Sequence, residues 1–310
     1  MNRIIGEYIG NETGPLLIVF GAMHGNEPAG VKAIDLVLKK LEVEPIKNPD
    51  FEYKGYMLGI IGNLAAYEMN VRYINKDLNR SWLDENVNQL EQKQNFNEEQ
   101  QQLLAILTAI ENKIEEYDPT EVIILDLHTT SSDGGIFSIV GEDKRSLHIA
   151  KEIYAPVVLG MLEGLKGTTL HFFKNEIFGK QVATITFESG QHEDPLSVNR
   201  AIAAIVNCMR TIGSVKPTDV EHQHDHILKK YSEQLPRVAR LAYKYHIAEG
   251  ENFQMKAGYK NFQKVNAGET LAENRSGAIC CEQDGMILMP LYQKKGDDGF
   301  FIIKEVHEAL

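Results

Sequence analysis

The feature that most constrains this chain is a hydrophobic period that switches back and forth along its first two thirds. Short apolar runs rich in β-branched residues fall at 15–20, 56–61, 122–127, 136–140 and 182–187. Runs of that length, apolar at most positions rather than at alternate ones, read as strands covered on both faces. Between them the spacing changes to three and four. Val31, Ile34, Leu38 and Leu41 form a helical stripe within 27–41, and Leu103, Leu104, Leu107, Ile110 and Ile114 form another within 97–117, each able to bury one helix face. The Gln/Asn/Glu-rich stretch before residue 97 reads as an exposed part of that second helix or its lead-in. Strands that alternate with amphipathic helices predict an α/β layer fold, with a mixed, mostly parallel sheet flanked by helices.

After Met209 the pattern changes. A polar connection through Gly213, Lys216-Pro217 and the alternating His222, His224 and His226 leads to short β-prone runs from Arg237 onward, broken by Gly250, Gly258, Gly268, Gly277, Gly285 and Gly296 and ending at 300–306. The expected organisation is therefore a catalytic α/β domain over 1–212 and a smaller β-rich domain over 213–310. No apolar run approaches the roughly 20 residues that cross a bilayer, which excludes a membrane span. The first residues lack the apolar core of a secretory signal, so a cytoplasmic protein is expected. A net charge of -12 argues against nucleic acid as the main partner, because that task needs a basic face. It does not decide the sign of a small substrate, since screening beyond about 8 Å leaves local side chains in control. Three cysteines, two of them adjacent at Cys280 and Cys281, suit reduced thiols better than a disulfide framework. On a strand that adjacent pair points to opposite faces, which opposes joint metal binding.

Four clusters carry chemistry. In Gly21-Ala22-Met23-His24-Gly25-Asn26-Glu27-Pro28, an imidazole and a carboxylate three residues apart sit between a buried strand and a helix, where one rigid turn can aim both at a cation. Gly21 and Gly25 suit a tight turn with close backbone approach. In Leu125-Asp126-Leu127-His128-Thr129-Thr130-Ser131, a second histidine lies at another strand end. Ligands of open α/β sheets gather at such ends, so His128 can complete a set of two histidines and one carboxylate that leaves a position open for water. The bland reading of His128 is a core histidine with its hydrogen bonds satisfied. In the loop from Arg72 to Trp82, Arg72, Asn79 and Arg80 supply donors able to clamp a carboxylate and polarise a carbonyl; a solvated charged loop anchored by Trp82 is the alternative. Finally, Glu188 ends the buried run 182–187, a costly place for a carboxylate unless it is paired, hydrated or functional.

Together, in this order, His24-x-x-Glu27, Arg72, Asp77-Leu78-Asn79-Arg80, His128 and Glu188 resemble the succinylglutamate desuccinylase/aspartoacylase family, a branch of the zinc carboxypeptidase-like superfamily. The likeness runs over nearly the whole chain. It implies one Zn2+ per chain on His24, Glu27 and His128, with Asp77 behind the His24 ring. It also implies Asn79 and Arg80 on the substrate carboxylate, Arg72 at the oxyanion and Glu188 as general base. The implied reaction is amide hydrolysis of a small anionic N-acyl amino acid, with a C-terminal β-domain that includes Met289-Pro290-Leu291-Tyr292 and restricts access. One departure is the segment Phe187-Glu188-Ser189-Gly190-Gln191-His192, closer to bacterial relatives of varied substrates. Two other readings stay open: a metallocarboxypeptidase acting on peptide C-termini, and a non-catalytic metal- or small-molecule-binding protein. A homo-oligomer is left open as well. The histidines at 222, 224 and 226 beside Asp225 read as solvated residues of a polar linker.

Overall fold

The computed structural model describes residues 1–83, 85–87, 95–219 and 223–307. The chain begins with β1 (Ile4–Ile9), β2 (Glu12–Gly21), α1 (Ala29–Lys47), β3 (Lys54–Ile61) and α2 (Leu64–Glu68). It continues through α3 (Glu98–Tyr117), β4 (Val122–Thr130), β5 (Phe137–Val140), α4 (Lys144–Glu152) and β6 (Val157–Leu159). Two single turns, α5 (Met161–Gly164) and α6 (Thr169–Phe172), precede β7 (Asn175–Ile177), β8 (Lys180–Gln191) and α7 (Leu196–Thr211). After α8 (Gln223–Ser232) come β9 (Val238–His246), β10 (Gln254–Met255), β11 (Lys264–Val265), β12 (Thr270–Asn274), β13 (Gly277–Cys280), β14 (Gly285–Leu288) and β15 (Asp298–Glu305).

Strand period 2 sorts the sheet's side chains into two layers. On β2 and β4, Leu17, Val19, Ile123, Leu125 and Leu127 point towards α1, α4 and α7, while Leu16, Ile18, Phe20, Val122 and Ile124 point towards α3, Trp82 and Phe173. Burial of each such side chain stabilises the fold by about 1.5–3 kcal/mol, so the two layers hold helices to both faces. The central strands β3, β2, β4 and β8 are mutually parallel, as the alternating pattern predicts. β5 joins β8 antiparallel and pairs β6 in parallel. β9 then pairs β6 in parallel, and β15, β14 and β11 follow antiparallel, so the C-terminal strands continue the same sheet. A separate three-stranded sheet, β10-β12-β13, caps that end. The expected fold class is therefore the one observed.

Three local expectations are refined. α1 begins at Ala29, not at Glu27, because His24 to Pro28 form the turn that precedes it, and it runs on past Leu41 through Pro45. Pro45 lies in the last turn, so the hydrogen bond it withholds from the Leu41 carbonyl weakens only the end of the helix. α3 starts with a capping box, in which Asn97 accepts from the Gln100 N–H at 2.9 Å and Gln100 accepts from the Asn97 N–H at 3.1 Å. The polar connection contains a helix, α8, so the solvated-linker reading needs correction. Leu228 is fully buried, and Asp225 is buried with an oxygen 2.9 Å from Arg210 Nη2. His224 is half-buried and His226 exposed, whereas His222 lies outside the described residues. Among the described residues no helix is long and apolar enough to cross a membrane.

Candidate active site

Strand β2 delivers the chain into the His24 turn through a left-handed Ala22, φ 53°, a conformation that costs a non-glycine residue about 1–2 kcal/mol. The neighbouring glycines are required by proximity. A Cβ on Gly25 would lie 2.1 Å from the Ala66 carbonyl carbon, and one on Gly21 would lie 2.6 Å from the Val31 nitrogen. Keeping Glu27 out of α1 turns its carboxylate back towards His24.

On the facing strand, the parity that sends Val122 and Ile124 towards α3 also places Asp126 and His128 on that side. His24 Nδ1 lies 2.9 Å from Glu27 Oε1, and His128 Nδ1 lies 3.1 Å from Glu27 Oε2. The donor atoms of His24, Glu27 and His128 all fall within 4.8 Å of one another, and all three residues are buried. Each imidazole has a second carboxylate at its far nitrogen: Asp77 Oδ1 is 3.1 Å from His24 Nε2, and Asp126 Oδ2 is 3.2 Å from His128 Nε2. A neutral His24 that donates from Nε2 to Asp77, and a neutral His128 with its proton on the Nε2 beside Asp126, would keep both Nδ1 lone pairs for a cation. The donor set therefore fits a divalent metal.

The charges follow the same logic. Burial alone would raise Glu27, but the imidazoles of His24 and His128 outweigh it and hold its carboxyl well below the usual range. Burial is likewise outweighed at Asp77, where His24 and Arg72 keep the carboxyl ionised far into acid. Glu188 behaves oppositely. It stands level with His128 in the β4–β8 register, and burial pushes its carboxyl up to about 7. Its Oε2 finds no hydrogen-bond partner among the described residues.

Seven of the residues singled out by sequence, His24, Glu27, Arg72, Asn79, Arg80, His128 and Glu188, line one cavity of about 860 Å³, counted with the solvent at its mouth. That is room for a small molecule. Asp77 lies behind it, 3.1 Å from Arg72 Nη2. Asn79 is buried and its Oδ1 accepts from the Thr169 N–H at 3.2 Å. Arg80 reaches across to the C-terminal strands, with Nη2 2.8 Å from Asp298 Oδ2.

Several contributors were not anticipated. Thr169 Oγ1 donates to Asp126 Oδ2 at 2.6 Å and so steadies the carboxylate behind His128. For Asp126 a signal existed, since Asp126 and His128 are two apart on one strand. Glu99 accepts backbone N–H groups of Ile74, Asn75 and Lys76 at 2.7, 3.0 and 3.2 Å, which fixes the arginine loop to the start of α3. His192 Nδ1 lies 2.7 Å from Thr129 Oγ1. Neither Glu99 nor Asp298 has a local sequence signal.

A family model described as the succinylglutamate desuccinylase/aspartoacylase catalytic domain matches residues 13–212. The chain belongs to the succinylglutamate desuccinylase/aspartoacylase family. This is a family of deacylating hydrolases. Aspartoacylase of Xenopus tropicalis is 32% identical over 127 residues, 41% of this chain and 37% of that protein. A Nostoc protein named "Probable aspartoacylase" is 34% identical over 125 residues, 40% of this chain and 38% of its own length. The matched stretch thus spans under two fifths of these curated family members. Among solved structures, the succinylglutamate desuccinylase of Vibrio parahaemolyticus shares a TM-score of 0.65 at 17% identity, covering 95% of this chain and 82% of its own. The ectoine utilization protein of Ruegeria pomeroyi, solved with product bound, gives 0.63 at 19%, covering 95% and 86%. At such identities the likeness establishes that this family member shares their fold.

Proposed function

We propose that this chain is a zinc-dependent amidohydrolase that removes the acyl group from a small N-acyl amino acid carrying a carboxylate, with one Zn2+ held by His24, Glu27 and His128. The observation that carries this reading is a buried carboxylate, Glu188, with one oxygen unpartnered among the described residues, facing the same cavity as a three-donor set. When bound, zinc supplies Lewis acidity and acidifies water at neutral pH. Glu188 takes a proton from the attacking water and returns it to the leaving amine nitrogen. Arg72, whose Nε is buried and unpartnered among the described residues, donates to the carbonyl oxygen as negative charge develops there. One such donor lowers a barrier by about 3 kcal/mol. Asn79 and Arg80 hold the substrate carboxylate away from the reacting bond and set orientation.

The remaining parts of the reading concern the rest of the chain. Met289, Leu291, Gln293 and Asp298 line the cavity. They support treating 213–310 as a β-rich unit that restricts the site to small substrates, where a carboxypeptidase must admit a peptide. The free thiols of Cys208, Cys280 and Cys281 suit a reducing, cytoplasmic compartment. Dialysis against a chelator, followed by zinc, tests the proposal on a panel of N-acetyl amino acids. Turnover should vanish with the metal and return with it; full turnover by protein shown to be metal-free would overturn it.

A further inference from the structure

The Asn79–Arg80 clamp does not stand alone in the cavity wall. The Trp82 N–H donates to the Gly167 carbonyl at 3.0 Å, and the Thr169 N–H donates to Asn79 Oδ1 at 3.2 Å, so segment 161–170 is fastened directly against the clamp. That segment gives the cavity Met161, Leu162, Leu165 and Leu170. Behind them the wall continues into an apolar cluster with Phe137, Val158 and Phe301. Thr168 is the one polar side chain that this segment adds to the cavity, so a substituent on the carbon bearing the clamped carboxylate meets a mostly apolar wall on this side.

The charges of the cavity point the same way. Among the described lining residues the lysines and arginines are Arg72 and Arg80 alone, against Glu27, Glu188, Asp297 and Asp298. Both guanidinium groups already have partners. Arg72 Nη2 is 3.1 Å from Asp77, and Arg80 Nη2 is 2.8 Å from Asp298. Arg80 still has hydrogens to offer one carboxylate. A second carboxylate on the substrate would find no unpaired lysine or arginine among these lining residues; the hydroxyls of Thr129, Thr130, Ser131, Thr168 and Thr186 and the amide of Gln293 carry no charge, and an ion moved out of water without a charged partner is strongly disfavoured.

We propose that the cavity selects an N-acyl amino acid with a single carboxylate and an apolar side chain, and discriminates against dicarboxylic N-acyl amino acids, because the wall beside the Arg80 clamp is apolar and its cations are already paired. This assignment rests on the deacylase reading for the bond that is cut, but the selection itself is a property of binding. The zinc-loaded protein should hydrolyse N-acetyl-leucine with a kcat/KM at least about 30-fold above that for N-acetyl-aspartate, the range that pocket complementarity commands. L162R, which adds a cation at a half-buried wall position, should narrow that ratio by improving the aspartate substrate; a folded L162R protein with an unchanged ratio would count against the assignment. Calorimetric titration of zinc-loaded Glu188→Gln protein with the same two compounds separates the two claims. Tighter binding of N-acetyl-leucine without wild-type turnover of either compound would remove the deacylase reading and keep the apolar pocket. Equal or tighter binding of N-acetyl-aspartate, or binding of neither compound, would overturn the pocket assignment whatever the turnover.

Discussion

Glu188 and His128 stand level on neighbouring strands, and both are pushed up from their ordinary values. Burial is the largest influence on Glu188; His128 offsets part of it and Glu27 adds to it, leaving the carboxyl near 7 against an ordinary 4.5. A carboxyl whose folded value is raised binds its proton more tightly when folded. Its contribution to stability is therefore fully present below about 4.5 and is lost as pH rises through about 7. Metal-free wild type should accordingly lose stability relative to metal-free Glu188→Gln across that window, as measured by denaturant unfolding at a series of pH values. A constant difference between the two would contradict the assigned environment. Behind the ligands, Asp126 Oδ2 stands 3.2 Å from the far nitrogen of His128 and is held in turn by Thr169. Asp126→Asn should weaken zinc binding by roughly 10- to 100-fold in a competition titration with a chromophoric chelator. Unchanged affinity would mean that the His128 ring needs no such support.

At the scale of elements, legibility depended on whether a signal was local. Strands β2, β3, β4, β5 and β8 and the first and third helices could be read because their periods differ, and the His24–Glu27 turn because its spacing joins two such elements; β1, β6 and β7 carry no such signal. Where the ends fell was less visible. α1 excludes Glu27 because the carboxylate is drawn to two imidazoles, one of them 101 residues away, and α8 was missed because its apolar content is small and its anchor, Asp225, pairs with Arg210. The arginine loop shows the same limit. Its donors were evident, but Glu99, which accepts three of its backbone N–H groups, belongs to a different element. Glu99→Ala leaves those groups short of partners and should cost at least about 2 kcal/mol in stability, with a raised KM as the Asn79–Arg80 clamp loosens. Gly25→Ala forces a Cβ into the Ala66 backbone and should be destabilising by about 1–3 kcal/mol, read as a lower denaturation midpoint. A midpoint equal to wild type would show that the turn can shift freely.

Across the whole molecule, one sheet runs from β1 through the central parallel strands and into β9, β15, β14 and β11, so the segment after residue 212 shares its hydrogen bonding with the strands that carry the ligands. That continuity lets Asp298, at the start of β15, reach Arg80 across 218 residues of sequence. No pattern near either residue announces the pair, because it exists only once the sheet is assembled. The seven sequence-predicted side chains that line the cavity were legible for the opposite reason: each lies at a strand end or in a short loop whose neighbours mark it. The central claim is that a metal and Glu188 act together on one water. Glu188→Gln keeps the size of the side chain and removes its basicity, so metal content and single-turnover rate measured on the same sample test that claim most directly. The account predicts about one zinc per chain with a loss of roughly 10²- to 10⁴-fold in rate; near-native turnover, or a variant that no longer holds its metal, would contradict it.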